Sequence, residues 1–233
     1  MSEKIIPVPL GMVSAFAIVG KEVILVDSGM PEHGPVILDK LASENIKPED
    51  IKLIVITHGH MDHFGGARFL KEKTGAKILI HSQDALALKN GFSGFPRSFN
   101  LVGAFISALV RTFRWLMSFV KAPPVPSGVE PDITIDGEYD LKEFGIEGRI
   151  IPTPGHTPGA ISVLLKQGDI FVGDLIGSFL KKNQPTLPLW GNSEKQIRQS
   201  VKKVMGLCPS MVYPSHVRAF SRKEMEVAFW NYF

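Results

Sequence analysis

The chain has 233 residues, of which 44% are apolar, 21% charged and 9% aromatic, and its formal net charge is +3. So high an apolar fraction with so little net charge excludes disorder, and 26 basic against 23 acidic side chains are too evenly matched to argue for a nucleic-acid binder. A single cysteine, Cys208, excludes an internal disulfide framework and a cysteine zinc site; it reads as a buried small hydrophobe in a reducing, cytoplasmic setting.

In chain order, residues 5–10, 13–19 and 22–26 read as strands that run into the turn Asp27-Ser28-Gly29. The opening stretch loosely mimics a secretory leader with Ala15-Phe16-Ala17 as its cleavage site, but Pro7 and Pro9 break any helix there. Residues 35–46 place apolar side chains at 37, 38, 41 and 42, the spacing of an amphipathic helix. The near-continuous apolar run 51–57 predicts a buried strand. Residues 65–73 look helical, 77–81 form a short strand, and Ser82 caps a helix through Lys89. Farther on, Ile133 with Ile135 and the stretches 146–151, 160–165, 170–172 and 211–213 read as strands. The pairs Ser193/Gln196 and Ser221/Glu224 are capping boxes that open the last two helices. Strand and helix alternate, so the expectation is a layered α/β protein forming one domain over residues 1–233.

Residues 91–130 interrupt this order as a helical, hydrophobic insert. Gly91, Gly94 and Pro96 open it, and Pro123, Pro124 and Pro126 close it. Between them Asn100, Ser107, Arg111, Arg114 and Ser118 share one narrow helical stripe, while Phe105, Phe113, Trp115, Leu116 and Phe119 surround it. Residues 99–120 are long enough to span a bilayer, but the two arginines near their middle argue against it. Packing on the chain's own body, a substrate lid, a homodimer contact and a membrane-surface anchor all satisfy this pattern, and the flanking prolines favour a lid or an interface.

The chemistry is concentrated in Thr57-His58-Gly59-His60-Met61-Asp62-His63, where three imidazoles and a carboxylate end a buried strand. Imidazole nitrogen and carboxylate oxygen are the donors that borderline divalent cations prefer. On a loop, His58 and His60 face one side while Asp62 and His63 face another, an arrangement that suits two adjacent ions. Two further histidines follow strands among Gly and Pro: His156 in Thr153-Pro154-Gly155-His156-Thr157-Pro158-Gly159, and His216 in Tyr213-Pro214-Ser215-His216. Asp174 ends a strand in Val172-Gly173-Asp174. His33 and His81 have no such setting and read as structural.

His-x-His-x-Asp-His after a strand, a later His in a Gly-His-Thr-Pro-Gly loop, then Gly-Asp and a final His, is a pattern that resembles the metallo-β-lactamase superfamily. The resemblance implies a four-layer αββα sandwich with the site at one edge. It implies that His58, His60 and His156 hold one metal ion, that Asp62, His63 and His216 hold a second, and that Asp174 bridges them. Asp27 matches a family position that supports the site from behind. Two divalent ions, zinc foremost with manganese or iron as the other choices, would share a bridging hydroxide for hydrolysis at neutral pH, with Asp62 orienting it.

Departures from particular relatives narrow the substrate. Asp174 stands where some β-lactamases place a cysteine. Glyoxalase II enzymes resemble this donor set but add a glutathione-gripping helical domain, whereas 17 residues follow His216. The 17 residues between His156 and Asp174 leave no room for the RNA-binding arm of tRNA-maturing members. Leu175-Ile176-Gly177-Ser178 lacks the tyrosine of acyl-homoserine lactonases. The expectation is a glyoxalase II-like hydrolase of a small-molecule ester, thioester, lactone or phosphoester. The alternatives are a mononuclear iron, sulfur-oxidising dioxygenase of the same fold, against which His63 and His216 argue, and a membrane-associated binding module resting on residues 99–120.

Overall fold

A computed structural model describes residues 3–92, 94, 97–118, 128–177 and 183–230, without the side chains of 110, 111 and 113–118. One sheet has six strands in the order of the chain: β1 (Lys4–Pro9), β2 (Ser14–Val19), β3 (Val23–Val26), β4 (Ile51–Val55), β5 (Lys77–His81) and β6 (Ile133–Ile135). Its first three strands are antiparallel and β3 to β6 are parallel. The other sheet comprises β7 (Tyr139–Asp140), β8 (Gly148–Pro152), β9 (Ile161–Leu165), β10 (Asp169–Gly173), β11 (Met211–Pro214) and β12 (Phe220–Ser221). Its order is β12-β11-β10-β9-β8-β7, antiparallel except for β10 beside β11.

Side-chain alternation makes three cores from these two sheets. In β3 and β4, Ile24, Val26, Leu53 and Val55 face the second sheet, where they meet Ile150, Val163, Leu165 and Phe171. Their neighbours Val23, Leu25, Ile51 and Ile54 face the opposite way and pack under α1 (His33–Ser43), α2 (Met61–Phe64), α3 (Ala67–Thr74) and α4 (Ser82–Asn90) through Ile37, Leu41, Phe64, Leu70 and Leu88. A period of two therefore gives strands apolar on both faces, as sheets covered on both sides require. After α5 (Leu101–Ser118), the outer face of the second sheet is covered by α6 (Glu194–Gly206) and α7 (Arg222–Ala228), with Ile197, Val201, Val204 and Met225 packed on Ile151, Ile170 and Val212. The result is the expected αββα layering.

Local differences have local causes. Residues 61–64 form a helical turn where a loop was expected, and Gly65 and Gly66 separate it from α3. At α4 the cap is His81, whose Nδ1 accepts from the Gln83 amide at 3.2 Å. Ser82 lies inside the helix, its hydroxyl turned to Asp136. Ser221 and Glu224 form the expected reciprocal box, whereas Ser193 caps α6 through the Gln196 amide alone. Cys208 is exposed, contrary to the buried reading: beyond the end of α6 its backbone turns left-handed, φ 52°, and carries the thiol to solvent.

Where its side chains are described, the insert departs from a simple amphipathic reading. Ser107 of the polar stripe is buried, and its hydroxyl accepts from the Trp190 indole at 2.9 Å. Leu101, Val102, Phe105 and Leu109 are exposed. The cause is Trp190, whose indole also reaches the Gly103 carbonyl at 3.2 Å and draws the helix's small residues inward. Pro96, Phe119, Pro123, Pro124 and Pro126, and the side chains of Arg111, Phe113, Arg114, Trp115, Leu116 and Ser118, lie outside the described residues. Among the described residues no helix is long and apolar enough to cross a membrane.

Candidate metal centre

Every residue singled out for metal chemistry follows a strand that ends at the same edge. Asp27 follows β3, Thr57 to His63 follow β4, His156 follows β8, Asp174 follows β10, and His216 follows β11. The two sheets are joined there through backbone: the Ile161 amide donates to Thr57 O at 2.9 Å and the Ser14 amide to Ser215 O at 2.7 Å. Strand ends converge, so residues far apart in sequence meet.

Two donor groups result. His58, His60, His156 and Asp174 each bring one donor atom within 4.8 Å of the others, and so do Asp62, His63 and His216. Asp174 faces both groups. Its Oδ2 lies 3.2 Å from His156 Nε2, while its Oδ1 lies 3.3 Å from the Nε2 atoms of His63 and His216. Asp62 Oδ2 is 3.3 Å from His216 Nε2 and 3.8 Å from His63 Nε2.

The outer ring nitrogens are each held. His156 Nδ1 and His216 Nδ1 donate to the carbonyls of Trp190 and Met12, at 3.0 and 2.7 Å. Those acceptors carry no proton, so each ring gives its Nδ1–H outward and presents Nε2 to the site. Asp27 orders the rest. Its carboxylate is buried and accepts from the Thr57 amide at 2.8 Å, the Thr57 hydroxyl at 2.9 Å, His63 Nδ1 at 2.8 Å and the Ser215 hydroxyl at 3.2 Å. With its proton given to Asp27, Thr57 Oγ1 accepts from His58 Nδ1 at 3.1 Å. Asp27 itself sits at φ 63°, a left-handed conformation rare outside glycine and one that functional sites retain.

His60 is the exception, presenting Nδ1 rather than Nε2. That atom stands 3.0 Å from both His58 Nε2 and His156 Nε2. Burial, then the neighbouring His63, keep His58 well below the usual imidazole range; burial, then His156, bring His60 down to about 3. Three ring nitrogens therefore converge at hydrogen-bond distance, and burial disfavours charge on His58 and His60. In the other group burial opposes the charge on His63, but Asp174, Asp27 and Asp62 raise it well above its ordinary value. Burial is likewise outweighed at His216, which Asp174 and Asp62 raise to about 10. Burial would raise Asp62, yet His63 and His216 hold it at about 2. His63 Nε2 and Asp174 Oδ1 are buried without a hydrogen-bond partner. Converging ring nitrogens and orphaned polar atoms around one carboxylate are what a cation site supplies, so the residues fit divalent metal ions.

Sequence reasoning missed Asp84. This buried residue on α4 accepts from the Gly59 amide at 2.8 Å, the Thr157 hydroxyl at 2.5 Å and the Gly159 amide at 3.1 Å. It thus ties the loop of His58 and His60 to the loop of His156. Gly159 is needed for the approach, since a Cβ there would lie 2.7 Å from Asp84 Cγ. Only an acid at the start of a helix, three residues after a strand, marked it in the sequence. His33 and His81 serve local structure, accepting from the Met30 and Gln83 amides.

Known proteins share this architecture. The Metallo-beta-lactamase superfamily matches residues 8–216. The chain is 31% identical over 166 residues to the "Probable metallo-hydrolase MJ0888" of Methanocaldococcus jannaschii, covering 71% of this chain and 68% of that protein. It is 27% identical over 158 residues to the "Hydroxyacylglutathione hydrolase" of Anaeromyxobacter dehalogenans, covering 67% of this chain and 43% of that one. Among solved structures, the BLEG-1 B3 metallo-beta-lactamase shares the fold with a TM-score of 0.69 at 18% identity, over 96% of this chain and 97% of its own. The chain belongs to the metallo-β-lactamase superfamily and is a metal-dependent hydrolase of that class.

Proposed function

We propose that the chain is a binuclear hydrolase of a small-molecule ester, thioester, lactone or phosphoester. The observation that carries this reading is Asp174, whose two oxygens face two separate donor groups. His58, His60 and His156 would hold one divalent ion and Asp62, His63 and His216 the other, with Asp174 between them. Zinc suits this nitrogen and oxygen set, and manganese or iron would be accepted by the same atoms. Such ions supply Lewis acidity toward a carbonyl or phosphoryl oxygen and a water activated near neutral pH.

The chain's own groups do the remaining work. Asp62, whose side chain is more exposed than that of Asp174, can accept a hydrogen bond from the attacking water, orienting it. Asp27 keeps the rings of His58 and His63 turned inward. The metallo-hydrolase and hydroxyacylglutathione hydrolase names of the relatives support hydrolysis as the reaction type. An exposed free thiol at Cys208 accords with a reducing, cytoplasmic setting.

Metal content decides the binuclear reading. Protein purified without added metal, measured by mass spectrometry, is expected to carry about two zinc or manganese ions per chain, falling toward one in His63→Ala and His216→Ala. A single iron per chain, unchanged by those substitutions, would overturn it in favour of sulfur oxidation.

A further inference from the structure

A cleft of about 410 Å³ opens beside His60 and touches both donor-bearing loops, with Gly59 and His60 on one side and Thr157 and Pro158 on the other. That size suits a small organic molecule. Among the described residues its lining includes one carboxylate, Asp84, and one guanidinium, Arg97. The Asp84 carboxylate is buried and committed to Gly59, Thr157 and Gly159. Arg97 is exposed and, among the described residues, makes no ion pair and no side-chain hydrogen bond. The uncommitted charge of the cleft is therefore positive.

The backbone that carries Arg97 is tied to the metal centre. Its carbonyl accepts from the Gly191 amide at 2.9 Å, Ser98 pairs with Trp190, and the Phe99 amide donates to Leu189 O at 2.9 Å. The next residue along, Asn192, donates its amide to the Gly155 and His156 carbonyls. Leu86 and Phe92, which also line the cleft, are 66% and 69% exposed, an apolar surface with nothing over it among the described residues. A guanidinium matches carboxylate and phosphate in a planar, two-pronged geometry that no neutral group reproduces.

We propose that Arg97 is a specificity residue, and that the substrate carries an anionic group, carboxylate or phosphate, joined by a short apolar stem to the bond that is cut. The anion meets Arg97, and Leu86 and Phe92 cover the stem. This inference rests on the hydrolase reading.

The test compares 4-nitrophenyl esters of butyrate, glutarate and 3-phosphonopropionate on the zinc-loaded protein, for wild type, Arg97→Ala and Arg97→Lys. Wild type is expected to favour an anionic ester over butyrate by roughly tenfold in kcat/KM, as one charge-assisted hydrogen bond provides. The ratio should fall toward one in Arg97→Ala, chiefly through KM, with part of it kept by Arg97→Lys. The better of glutarate and phosphonopropionate identifies the anion. Calorimetric binding of the matching, uncleaved 4-nitroanilides separates the two readings. If no ester is cleaved, the carboxylic-ester reading of the substrate fails, while the anilides still decide Arg97. Equal affinity of wild type for neutral and anionic anilides, or an anion preference undiminished in Arg97→Ala, overturns the proposal.

Discussion

Asp84 shows how one carboxylate can organise a centre without facing it. Its three donors belong to the loops that carry His58, His60 and His156. Asp84→Ala would leave two backbone amides and a hydroxyl buried and unpaired, at about 1–3 kcal/mol each before relaxation. The expected outcome is a stability loss of about 3 kcal/mol in urea unfolding, together with weaker metal retention by the His58, His60 and His156 group. Asp84→Asn, which keeps one carbonyl oxygen, should lose less of both. The seven donor residues were legible as a local motif plus three strand-end residues, because their types are rare and their flanking Gly and Pro mark loops. Asp84 was not legible in this way. An acid in the first turn of a helix is commonplace, and only the fold brings it against a glycine 25 residues earlier and another 75 residues later.

Among the elements, α7 depends most openly on charge. Glu224 accepts from Arg218, the Ser221 amide and the Ser221 hydroxyl, and these hold its carboxyl at about 2, against an ordinary value of 4.5. A carboxylate whose folded pKa is depressed contributes stability that is present above 4.5 and lost as pH falls toward 2. Amide protection factors in Arg222–Ala228, corrected for the intrinsic exchange rate at each pH, are therefore expected to fall over that window, and Glu224→Gln to flatten the response. High salt should weaken the effect, since the pair is exposed. Strand and helix types were readable throughout, from period-two and helical apolar spacing. Caps and short strands were less so: β7 and β12 are two residues each, too short for a period to register. The inward turn of Ser107 on α5 depends on an indole 83 residues away.

For the molecule as a whole, the two sheets are held together by the core between them, and Phe171 is its largest fully buried side chain alongside Phe220 of the outer core. Its ring stands 5.1 Å from Phe16 of the other sheet and 4.9 Å from Tyr213. Phe171→Ala is expected to cost about 3–5 kcal/mol, read as a lower urea midpoint at unchanged slope. Because the edge of that interface carries Thr57 and Ile161, whose backbones bond directly, the variant should also bind metal less tightly. By itself the sequence determined the alternation of elements, the apolar faces and which histidines and aspartates are candidates for metal donors, since each depends on spacing within one element or on side-chain chemistry alone. Only the tertiary structure decided that Asp174 stands between two donor groups, that Asp84 and Asp27 tie separate loops, and that Arg97 shares a cleft with His60. Those facts are distances between segments far apart in sequence, and such distances come into being only when the sheets and their covering helices pack.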